Sequence, residues 1–248
     1  HAEFVNVDKC LVSKKPKNIS DVEAATILYA GLTAFSGIFV SAPFDGYPAA
    51  LLGRSSGKGK RVLVLGASGG VGHLAVQILR AEGADVIATC SEDAKSLVEQ
   101  LGVTKIIDYN SNECSAQLMS ESPYDLILDC AGQGAEYANA FRWKFANYVT
   151  FKSPLLKNLD DKGLIFGGLE SARALISSNI PALSSGGAIK WGYFLPLPNG
   201  IQYLKELVEK EQLRPIIDSQ FSYKDLPKAY EKVAAGHLRG KVAIDYNN

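Results

Sequence analysis

The sequence predicts an α/β fold built on a doubly wound parallel sheet, and three observations lead to that prediction. Strand-like and helix-like segments alternate through the middle of the chain. The strand-like segments are continuous aliphatic runs, which is typical of strands buried on both faces. The first of them, Arg61 to Leu65, leads directly into a glycine-rich turn, and a helix follows at once. We therefore expect a series of βα units whose strands lie side by side in one sheet.

Six strands are predicted for this sheet, with a helix after each of the first four. The predicted strands are Arg61 to Leu65, Asp85 to Thr89, Lys105 to Tyr109, Tyr124 to Asp129, Asn147 to Phe151 and Ala188 to Leu195. The predicted helices begin near Gly72 and then cover Glu92 to Leu101, Glu113 to Met119 and Ala135 to Phe145. The segment Leu155 to Gly187 is rich in glycine and serine, and it is predicted to be a loop.

The two ends of the chain follow a different pattern. At the start we expect a strand over residues 2–12, a helix over Asn18 to Phe39 capped by Ser20 or Asp21, and a turn-rich linker from Pro43 to Lys60. After Asn199 we expect an amphipathic helix, an extended segment Pro215 to Tyr223, a helix from Lys224 and a strand Lys241 to Tyr246.

These end segments are too small to bury their own apolar faces. We therefore expect residues 1–38 and 212–248 to belong to a second domain whose main part lies outside this chain, with the doubly wound domain at 39–211. The alternative is that the end segments simply pack against the main sheet as part of the same domain. Because the chain begins at His1, we expect its natural N-terminus and any targeting segment to lie outside it as well.

Composition excludes several classes of partner. The 26 basic residues equal the 26 acidic ones, which argues against a nucleic-acid partner. No apolar run is expected to reach the roughly 18–20 residues that cross a bilayer, so no membrane span is predicted. The cysteines are Cys10, Cys90, Cys114 and Cys130. Their wide spacing excludes a zinc knuckle and favours a reducing compartment, such as the cytoplasm.

The glycine-rich turn is the strongest functional signal. Two spacings fit it: Ala67, Gly69 and Gly72 as A-x-G-x-x-G, or Gly66, Gly70 and Gly72 as G-x-x-x-G-x-G. Both are typical of dinucleotide binders, because unsatisfied amides and the helix dipole attract a pyrophosphate where no side chain blocks it. A purely structural βα turn is the alternative.

The end of the second strand favours NADPH over NADH. An NAD site carries a carboxylate there, which accepts hydrogen bonds from the ribose and repels a 2′-phosphate. Here Cys90 takes that place, and Ser91, Lys95 and Tyr109 supply a hydroxyl, an ammonium and a phenol, all groups that suit a phosphate monoester.

Each of those three residues also has an ordinary structural interpretation. Ser91 fits a helix N-cap, Lys95 a solvated helix face and Tyr109 a strand-end aromatic. Glu92 and Asp93 follow closely enough to reach back to the strand end, which weakens the argument for NADPH.

Several motifs together carry a family resemblance. They read GASGGVG, ATCS, IIDY, DLILDCAG and AGHLRGKVAID, and the segment PKNISDVEAATILYAGLTAFSGI resembles a helix that joins two domains. In this combination the chain resembles the zinc-independent medium-chain dehydrogenase/reductases of the quinone oxidoreductase type, in particular a mitochondrial reticulon-interacting oxidoreductase group. The resemblance implies a Rossmann domain for residues 39–211 and remnants of a GroES-like catalytic domain at the two ends.

The resemblance also implies which residues contact NADPH, in four groups. These are Ser68, Gly69, Gly70 and Val71 at the pyrophosphate, Ser91, Lys95 and Tyr109 at the 2′-phosphate, Gly192 and Phe194 at the nicotinamide, and His237, Leu238 and Arg239 in a C-terminal turn. From the residues alone, His237 and Arg239 equally fit cations at a helix C-terminus. No catalytic residue is identified.

The implied activity is metal-free transfer of a hydride from NADPH to a quinone or another α,β-unsaturated carbonyl. Zinc-dependent relatives hold their metal partly through a cysteine shortly before the glycine turn, and the corresponding stretch LYAGLTAF has none. The resemblance further implies a mitochondrial location, a homodimer and a protein partner of the reticulon type.

Two rival interpretations are weighed against this one. In a short-chain dehydrogenase Tyr148 and Lys152 would form the Tyr-x-x-x-Lys pair, but that pair needs a helix and these residues lie in a predicted strand. The other rival is a non-catalytic module that senses NADPH or docks a partner.

Four further residues are given structural expectations. We expect Phe141 and Trp143 to be core aromatics and His73 to face solvent. Cys130 follows the fourth strand and could face a ligand cleft, although a buried inert thiol is the simpler interpretation.

Overall fold

The main sheet has six parallel strands, as the sequence predicts. The computed structural model describes residues 4–47, 56–140, 143–184 and 186–246. The strands are β1 Arg61–Leu65, β2 Asp85–Cys90, β3 Lys105–Asp108, β4 Tyr124–Asp129, β5 Phe145–Thr150 and β6 Ala188–Trp191. Their order is β3-β2-β1-β4-β5-β6, and all pairs are parallel. The chain therefore winds outward from the centre in both directions, which confirms a doubly wound sheet.

Helices cover both faces of this sheet. They are α1 Asp21–Phe35, α2 Gly72–Ala81, α3 Lys95–Gln100, α4 Cys114–Ser120, α5 Ala135–Ala140, α6 Leu155–Ser184, α7 Pro198–Glu209 and α8 Leu226–Ala235. Single turns of 3-10 helix occupy Lys9–Leu11, Glu92–Ala94 and Tyr223–Asp225.

The core forms two layers, one on each side of the sheet. Successive side chains of β1 point to opposite faces, so Val62 and Val64 pack with α1, α2 and α7, whereas Leu63 and Leu65 pack with Trp143 and with α4, α5 and α6. Each fully buried aliphatic side chain contributes roughly 1.5–3 kcal/mol of transfer free energy. This two-sided burial explains why the strands read as continuous aliphatic runs.

Helix α1 begins as the sequence predicts. The Ser20 hydroxyl accepts a hydrogen bond from the Glu23 amide at 3.2 Å, and the Glu23 carboxylate accepts one from the Ser20 amide at 2.8 Å. This reciprocal capping box satisfies two donors that the first helical turn would otherwise leave free. Past Phe35 the helix continues as a π-helical segment, Ser36–Ser41.

The continuous helical segment from Asp21 to Ser41 is longer than the sequence analysis allowed. Its 21 residues are long and apolar enough to cross a membrane, so the expectation that no segment reaches that length is wrong. Most of its most apolar window is buried inside the protein, against α2, α7 and the sheet. Gly31 brings α1 close to α7, since an added Cβ would lie 2.8 Å from Leu204.

Two segments differ from the predicted elements. Residues 4–8 form no strand among the described residues, because no neighbouring strand is there to pair with them. The segment predicted as a loop at Leu155 to Gly187 is mostly the helix α6, which bends at Gly163 with φ 74°. Its two arms are joined by a hydrogen bond of 3.0 Å from the Asn158 amide group to the Ser171 hydroxyl.

Several predicted boundaries also shift. The helix predicted from Ala135 to Phe145 ends at Ala140, and the sixth strand ends at Trp191. Trp143 lies outside the helix but is buried, with its indole N–H donated to the Ala138 carbonyl at 2.9 Å, so its predicted core position is confirmed. The predicted core aromatic Phe141 lies outside the described residues.

The C-terminal strands form a separate sheet. Strands β7 Ile217–Ser222 and β8 Lys241–Asp245 pair in parallel, and α8 connects them. This two-stranded sheet does not pair with the six-stranded one among the residues described. It nevertheless reaches the turn after β1, which brings the C-terminal residues to the carboxyl edge of the main sheet.

Candidate functional site

A cleft opens at the carboxyl edge of the main sheet, where β1 and β4 lie side by side and the chain direction around the sheet reverses. Doubly wound sheets bind their ligands at this switch point. The cleft holds about 340 Å³. Its lining residues are Leu65, Gly66, Ser68, Gly69, Thr89, Tyr109, Cys130, Ala131, Gln133, Tyr137, His237, Leu238 and Arg239.

Three glycines of the turn after β1 have three different roles. Gly66 adopts φ +76°, and its amide donates to the Thr89 hydroxyl at 3.0 Å, which fixes the turn on β2. Gly72 lets α2 pack on the turn, because a Cβ there would lie 2.1 Å from the Gly66 carbonyl oxygen. At Gly69 the nearest atom to an added Cβ is 3.5 Å away, so the space beside it is open to the cleft. Gly69 is therefore the glycine whose missing side chain leaves room for a ligand.

Backbone donors are available at the start of α2. Within the described part of the chain, the amides of Gly70, Val71 and Gly72 have no hydrogen-bond acceptor. Such free amides, together with the helix dipole, attract a phosphate group. The Ser68 carbonyl is already occupied, since it accepts a hydrogen bond from the Gly240 amide at 2.9 Å.

His73 lies directly below this turn and is fully buried. Its Nδ1 is 2.8 Å from the Gly69 carbonyl oxygen, and its Nε2 accepts the Ile216 amide at 3.1 Å, so we assign the proton to Nδ1. Burial lowers the pKa of His73 to about 4, which keeps the ring neutral. The expectation that His73 faces solvent is therefore wrong, because both ring nitrogens bridge the glycine turn and the C-terminal segment.

The C-terminal turn His237, Leu238 and Arg239 lines the same cleft as the glycine turn. Its last amide, on Arg239, donates to the Asp218 carboxylate at 2.8 Å, and the following Gly240 is tied to Ser68. Helix α8 ends at Ala235, so His237 and Arg239 lie beyond it. The structure thus brings this turn into the same cleft as Ser68, Gly69 and Tyr109.

The end of β2 carries a neutral thiol and a hydroxyl. Burial raises the pKa of Cys90 to about 11. The next residue, Ser91, accepts a hydrogen bond from the Arg239 guanidinium at 3.1 Å. The same guanidinium nitrogen makes a short ion pair with Asp93, and the pKa of Asp93 is lowered first by the Ser91 hydroxyl and then by Arg239. Asp93 therefore does reach back to this site, where it binds Arg239.

The other two residues predicted near the 2′-phosphate are placed differently from each other. Tyr109 follows β3, lines the cleft and is exposed. Its backbone amide donates a hydrogen bond to the Cys90 carbonyl at 3.2 Å. Lys95 lies outside the cleft lining and pairs with Glu92 at 3.5 Å on an exposed surface. This agrees with the alternative interpretation of Lys95 as a residue on a solvated helix face. Ser91 begins the 3-10 turn, but its side chain makes no capping hydrogen bond.

A buried carboxylate that the sequence analysis did not single out shapes the wall after β4. Asp129 is fully buried and accepts hydrogen bonds from the Gln133 amide at 3.0 Å, the Gly134 amide at 2.7 Å and the Thr150 hydroxyl at 2.7 Å. These bonds fold the loop 130–134, part of which lines the cleft. The signal in the sequence was an aspartate at a strand end followed by two nearby glycines.

Two expectations about the central strands can now be judged. Cys130 lines the cleft, and burial of its thiol raises its pKa well above the usual value, so it is both cleft-facing and unreactive as a thiolate. Tyr148 is fully buried in β5 and Lys152 lies beyond that strand. The Tyr-x-x-x-Lys arrangement of a short-chain dehydrogenase is therefore absent from these two residues.

The residues predicted near the nicotinamide lie outside this cleft, beside the end of α1. Gly192 is packed on Phe151, because a Cβ would lie 2.6 Å from that ring. Phe194 stacks on Tyr29 with ring centroids 4.7 Å apart. Between them, the Tyr193 carbonyl accepts a short hydrogen bond from Ser36. The structure thus brings Ser68, Gly69, Tyr109 and Arg239 together in one cleft, whereas Lys95 lies outside it. Gly192 and Phe194 lie at a separate surface.

Among the described residues, no group of three His, Cys, Asp or Glu side chains could hold a metal ion. The described residues therefore do not supply a zinc site.

Comparison with known proteins gives consistent matches. The sequence profile of the family described as zinc-binding dehydrogenase matches residues 101–244. NAD(P)H oxidoreductase RTN4IP1, mitochondrial, of Drosophila melanogaster is 46% identical over 98% of this chain and 59% of its own length. The human protein of the same name is 38% identical over 98% of this chain and 60% of its own length.

Among solved structures, the quinone oxidoreductase of Coxiella burnetii superposes with a TM-score of 0.68 at 24% identity, covering 94% of this chain and 63% of that one. At this identity the likeness shows the fold. The chain spans about three fifths of the length of the curated relatives it matches.

Proposed function

Because this chain belongs to the zinc-binding dehydrogenase family of medium-chain dehydrogenase/reductases, we propose that it forms the NADPH-binding part of an oxidoreductase. That enzyme transfers a hydride to a quinone or another α,β-unsaturated carbonyl. The cleft at the carboxyl edge of the sheet is the observation that carries the proposal, since its lining matches the chemistry of a dinucleotide phosphate at several independent points.

The adenosine and pyrophosphate half of NADPH fits the described residues. The open space at Gly69 and the free amides at Gly70 and Val71 suit the pyrophosphate. The loop that Asp129 folds supplies an opposite wall. The Gly66 amide binds the Thr89 hydroxyl and the Gly134 amide binds Asp129, so the glycine turn and this loop are in place before a ligand arrives.

The preference for NADPH over NADH is supported by charge at the end of β2. Cys90 stands where a carboxylate would exclude a 2′-phosphate, and its raised pKa keeps it uncharged at neutral pH. Ser91 and Tyr109 supply hydroxyl groups nearby, and Arg239 supplies the positive charge that the sequence analysis assigned to Lys95. We therefore propose Ser91, Tyr109 and Arg239 as the 2′-phosphate site.

When bound, the reduced nicotinamide supplies the hydride. The chain's own contribution is to hold and orient the coenzyme. The glycine turn and the C-terminal turn bind the phosphates, and the surface at Gly192 and Phe194 contacts the nicotinamide end. Among the described residues of that surface no acid–base pair stands out, so we propose transfer to an acceptor that its own conjugation makes electron-poor.

The domain organisation is part of the proposal. Residues 39–211 form the coenzyme domain, and residues 1–38 and 212–248 return to a GroES-like catalytic domain. The separate β7–β8 sheet supports this division. From the names of the relatives we further propose a mitochondrial location and a protein partner of the reticulon type, together with a homodimer.

A binding titration tests the coenzyme half of this proposal. NADPH fluorescence should rise and the melting temperature should increase when this chain is titrated, with weaker responses to NADH. A Gly69→Val variant is expected to keep its fold and lose the response, because the new side chain fills the open space. Equal responses to both coenzymes would contradict the assignment of the 2′-phosphate site.

The catalytic half is tested with the longer protein. NADPH oxidation should depend on an added quinone or enone, and Arg239→Gln should raise KM for NADPH at least tenfold. Normal NADPH affinity with no acceptor-dependent oxidation would instead support a non-catalytic NADPH-sensing module.

A further inference from the structure

The rim of the cleft holds an ion pair that the proposed function does not explain. One nitrogen of the Arg239 guanidinium binds both the Ser91 hydroxyl, at 3.1 Å, and the Asp93 carboxylate in a short contact. Asp93 and Arg239 lie 146 residues apart in the chain. Their meeting therefore depends on the packing of the C-terminal turn against the loop after β2.

Arg239 is the natural anchor for an anion in this cleft. Among the described residues that line the cleft, Arg239 is the only lysine or arginine. A guanidinium offers several donors in a fixed plane, which suits the oxygens of a phosphate. In this structure those donors face the carboxylate of Asp93.

The two partners differ in exposure, and the difference decides which one can be replaced. The side chain of Asp93 is 72% exposed and that of Arg239 is 24% exposed. An ion pair whose acidic partner is mostly in water contributes little stability, so it exchanges readily for a stronger anion. The hydroxyl of Ser91 stays beside Arg239 in either case.

Resting on the proposed function, we infer that Asp93 is a specificity-determining residue that competes with the 2′-phosphate for Arg239. A phosphate monoester carries nearly two negative charges and more acceptor oxygens than a carboxylate, so it displaces Asp93. A coenzyme without that phosphate leaves the Asp93–Arg239 pair intact and gains nothing from Arg239.

The competition has a cost for NADPH that can be measured. Displacing Asp93 leaves a free carboxylate next to the phosphate, and like charges repel. Removing the carboxylate should therefore strengthen the binding of any ligand that carries the 2′-phosphate and leave other ligands unchanged.

The experiment uses two probes that contain the adenosine end without the nicotinamide, namely 2′,5′-ADP and 5′-AMP. Calorimetric titrations compare the wild-type chain with Asp93→Asn and Asp93→Ala, and with Glu92→Gln as the matched control. Glu92 lies in the same 3-10 turn, is also exposed and pairs with Lys95 away from the cleft. Thermal melting verifies that each variant is folded.

Both Asp93 variants should bind 2′,5′-ADP three- to tenfold more tightly than the wild type, with affinity for 5′-AMP unchanged. Glu92→Gln should change neither affinity by more than about twofold, because Glu92 pairs with Lys95 and not with Arg239. When Arg239→Gln is also present, Asp93→Asn should raise the logarithm of the affinity for 2′,5′-ADP by less than half as much. The reason is that the cation for which Asp93 and the phosphate compete is then absent.

Two results would overturn the inference. Weaker binding of 2′,5′-ADP by both Asp93 variants would mean that Asp93 orients Arg239 for the phosphate, and unchanged binding would mean that the pair has no influence. Either result with normal wild-type binding of NADPH leaves the proposed function standing. If the wild-type chain bound neither probe nor NADPH, the proposed function would fail and this inference with it.

Discussion

The two surfaces assigned to the coenzyme are built in different ways. The phosphate end is a cleft whose walls come from four separate turns, tied to one another by hydrogen bonds through Thr89, His73, Asp129 and Gly240. The nicotinamide end is an open surface around Phe194, which stacks on an exposed Tyr29. On the proposed assignment, this chain fixes the phosphate site in advance and leaves the nicotinamide site less constrained.

The physical reason lies in what each end is proposed to bind. Phosphates are recognised by amides and cations, whose desolvation is affordable only when their geometry is fixed in advance. A flat ring needs apolar area and tolerates small displacements. Changes at the phosphate end should therefore have large effects, and changes at the nicotinamide end small ones.

The largest effect is expected at the glycine turn. Gly72→Ala places a Cβ 2.1 Å from the Gly66 carbonyl oxygen, which is backbone and cannot move aside. We expect a loss of about 3 kcal/mol or more in the free energy of unfolding, measured by chemical denaturation. Gly69→Ala is the matched control, since its Cβ meets nothing closer than 3.5 Å. Equal stability losses in both variants would break the assigned division of roles.

His73 should make the stability of the phosphate end depend on pH. Its pKa is about 4 in the folded protein and about 6.5 when unfolded, so between those values the unfolded chain binds more protons. The stability that depends on a neutral His73 is therefore fully present above pH 6.5. The free energy of unfolding falls as the pH drops, by roughly 3 kcal/mol once the pH reaches 4.

Denaturation curves at several pH values measure this dependence. His73→Phe should be less stable at pH 7 and should lose less stability between pH 6.5 and 4 than the wild type. His237→Asn, which changes an exposed histidine, is the control and should keep the wild-type slope. A His73→Phe slope equal to that of the wild type would contradict the buried neutral ring.

Asp129 tests whether the loop after β4 is held for binding. Asp129→Asn puts an amide group where three donors point, and we expect a loss of about 2 kcal/mol in stability with several-fold weaker NADPH binding. Asp125→Asn on the same strand is the control, because Asp125 binds the Arg61 amide at the opposite edge of the sheet. The control should leave NADPH affinity unchanged, and matched affinity losses would argue against a local role for Asp129.

The smallest effect is expected at the nicotinamide end. Phe194→Ala removes a partly exposed aromatic pair, which should cost less than about 1 kcal/mol in stability. The affinity for 2′,5′-ADP should not change, because that ligand does not reach this surface. A large drop in that affinity would show that the two ends are coupled and would break the comparison.

Much of the fold follows from local signals. The six strands and the helix after the glycine turn were predictable because aliphatic runs and glycine spacing act over a few neighbouring residues. Helix α6 was not, since its glycines and serines suggest a loop, and the bend at Gly163 and the contact between Asn158 and Ser171 are tertiary features.

The candidate site was predicted in the same uneven way. Gly69 was predicted from the glycine spacing and Tyr109 from its place at a strand end, and both lie at one edge of the parallel sheet. Ser68 came from the family resemblance and lines the same cleft. Lys95 was placed in the site by its charge, by its position just after the second strand and by the family resemblance, and the structure pairs it with Glu92 instead. The site roles of all these residues stay predictions until a ligand is bound.

The sequence by itself determined that strands and helices alternate, that the glycine turn has room for a ligand, and that no carboxylate ends β2. These properties arise from backbone preferences and from the spacing of apolar residues, and both act within a single segment of the chain. Only the tertiary structure decided that His73 meets Ile216 and that Arg239 meets Asp93, across 143 and 146 residues. Such pairs form when packed elements meet, and the local sequence around each partner contains no signal of the other.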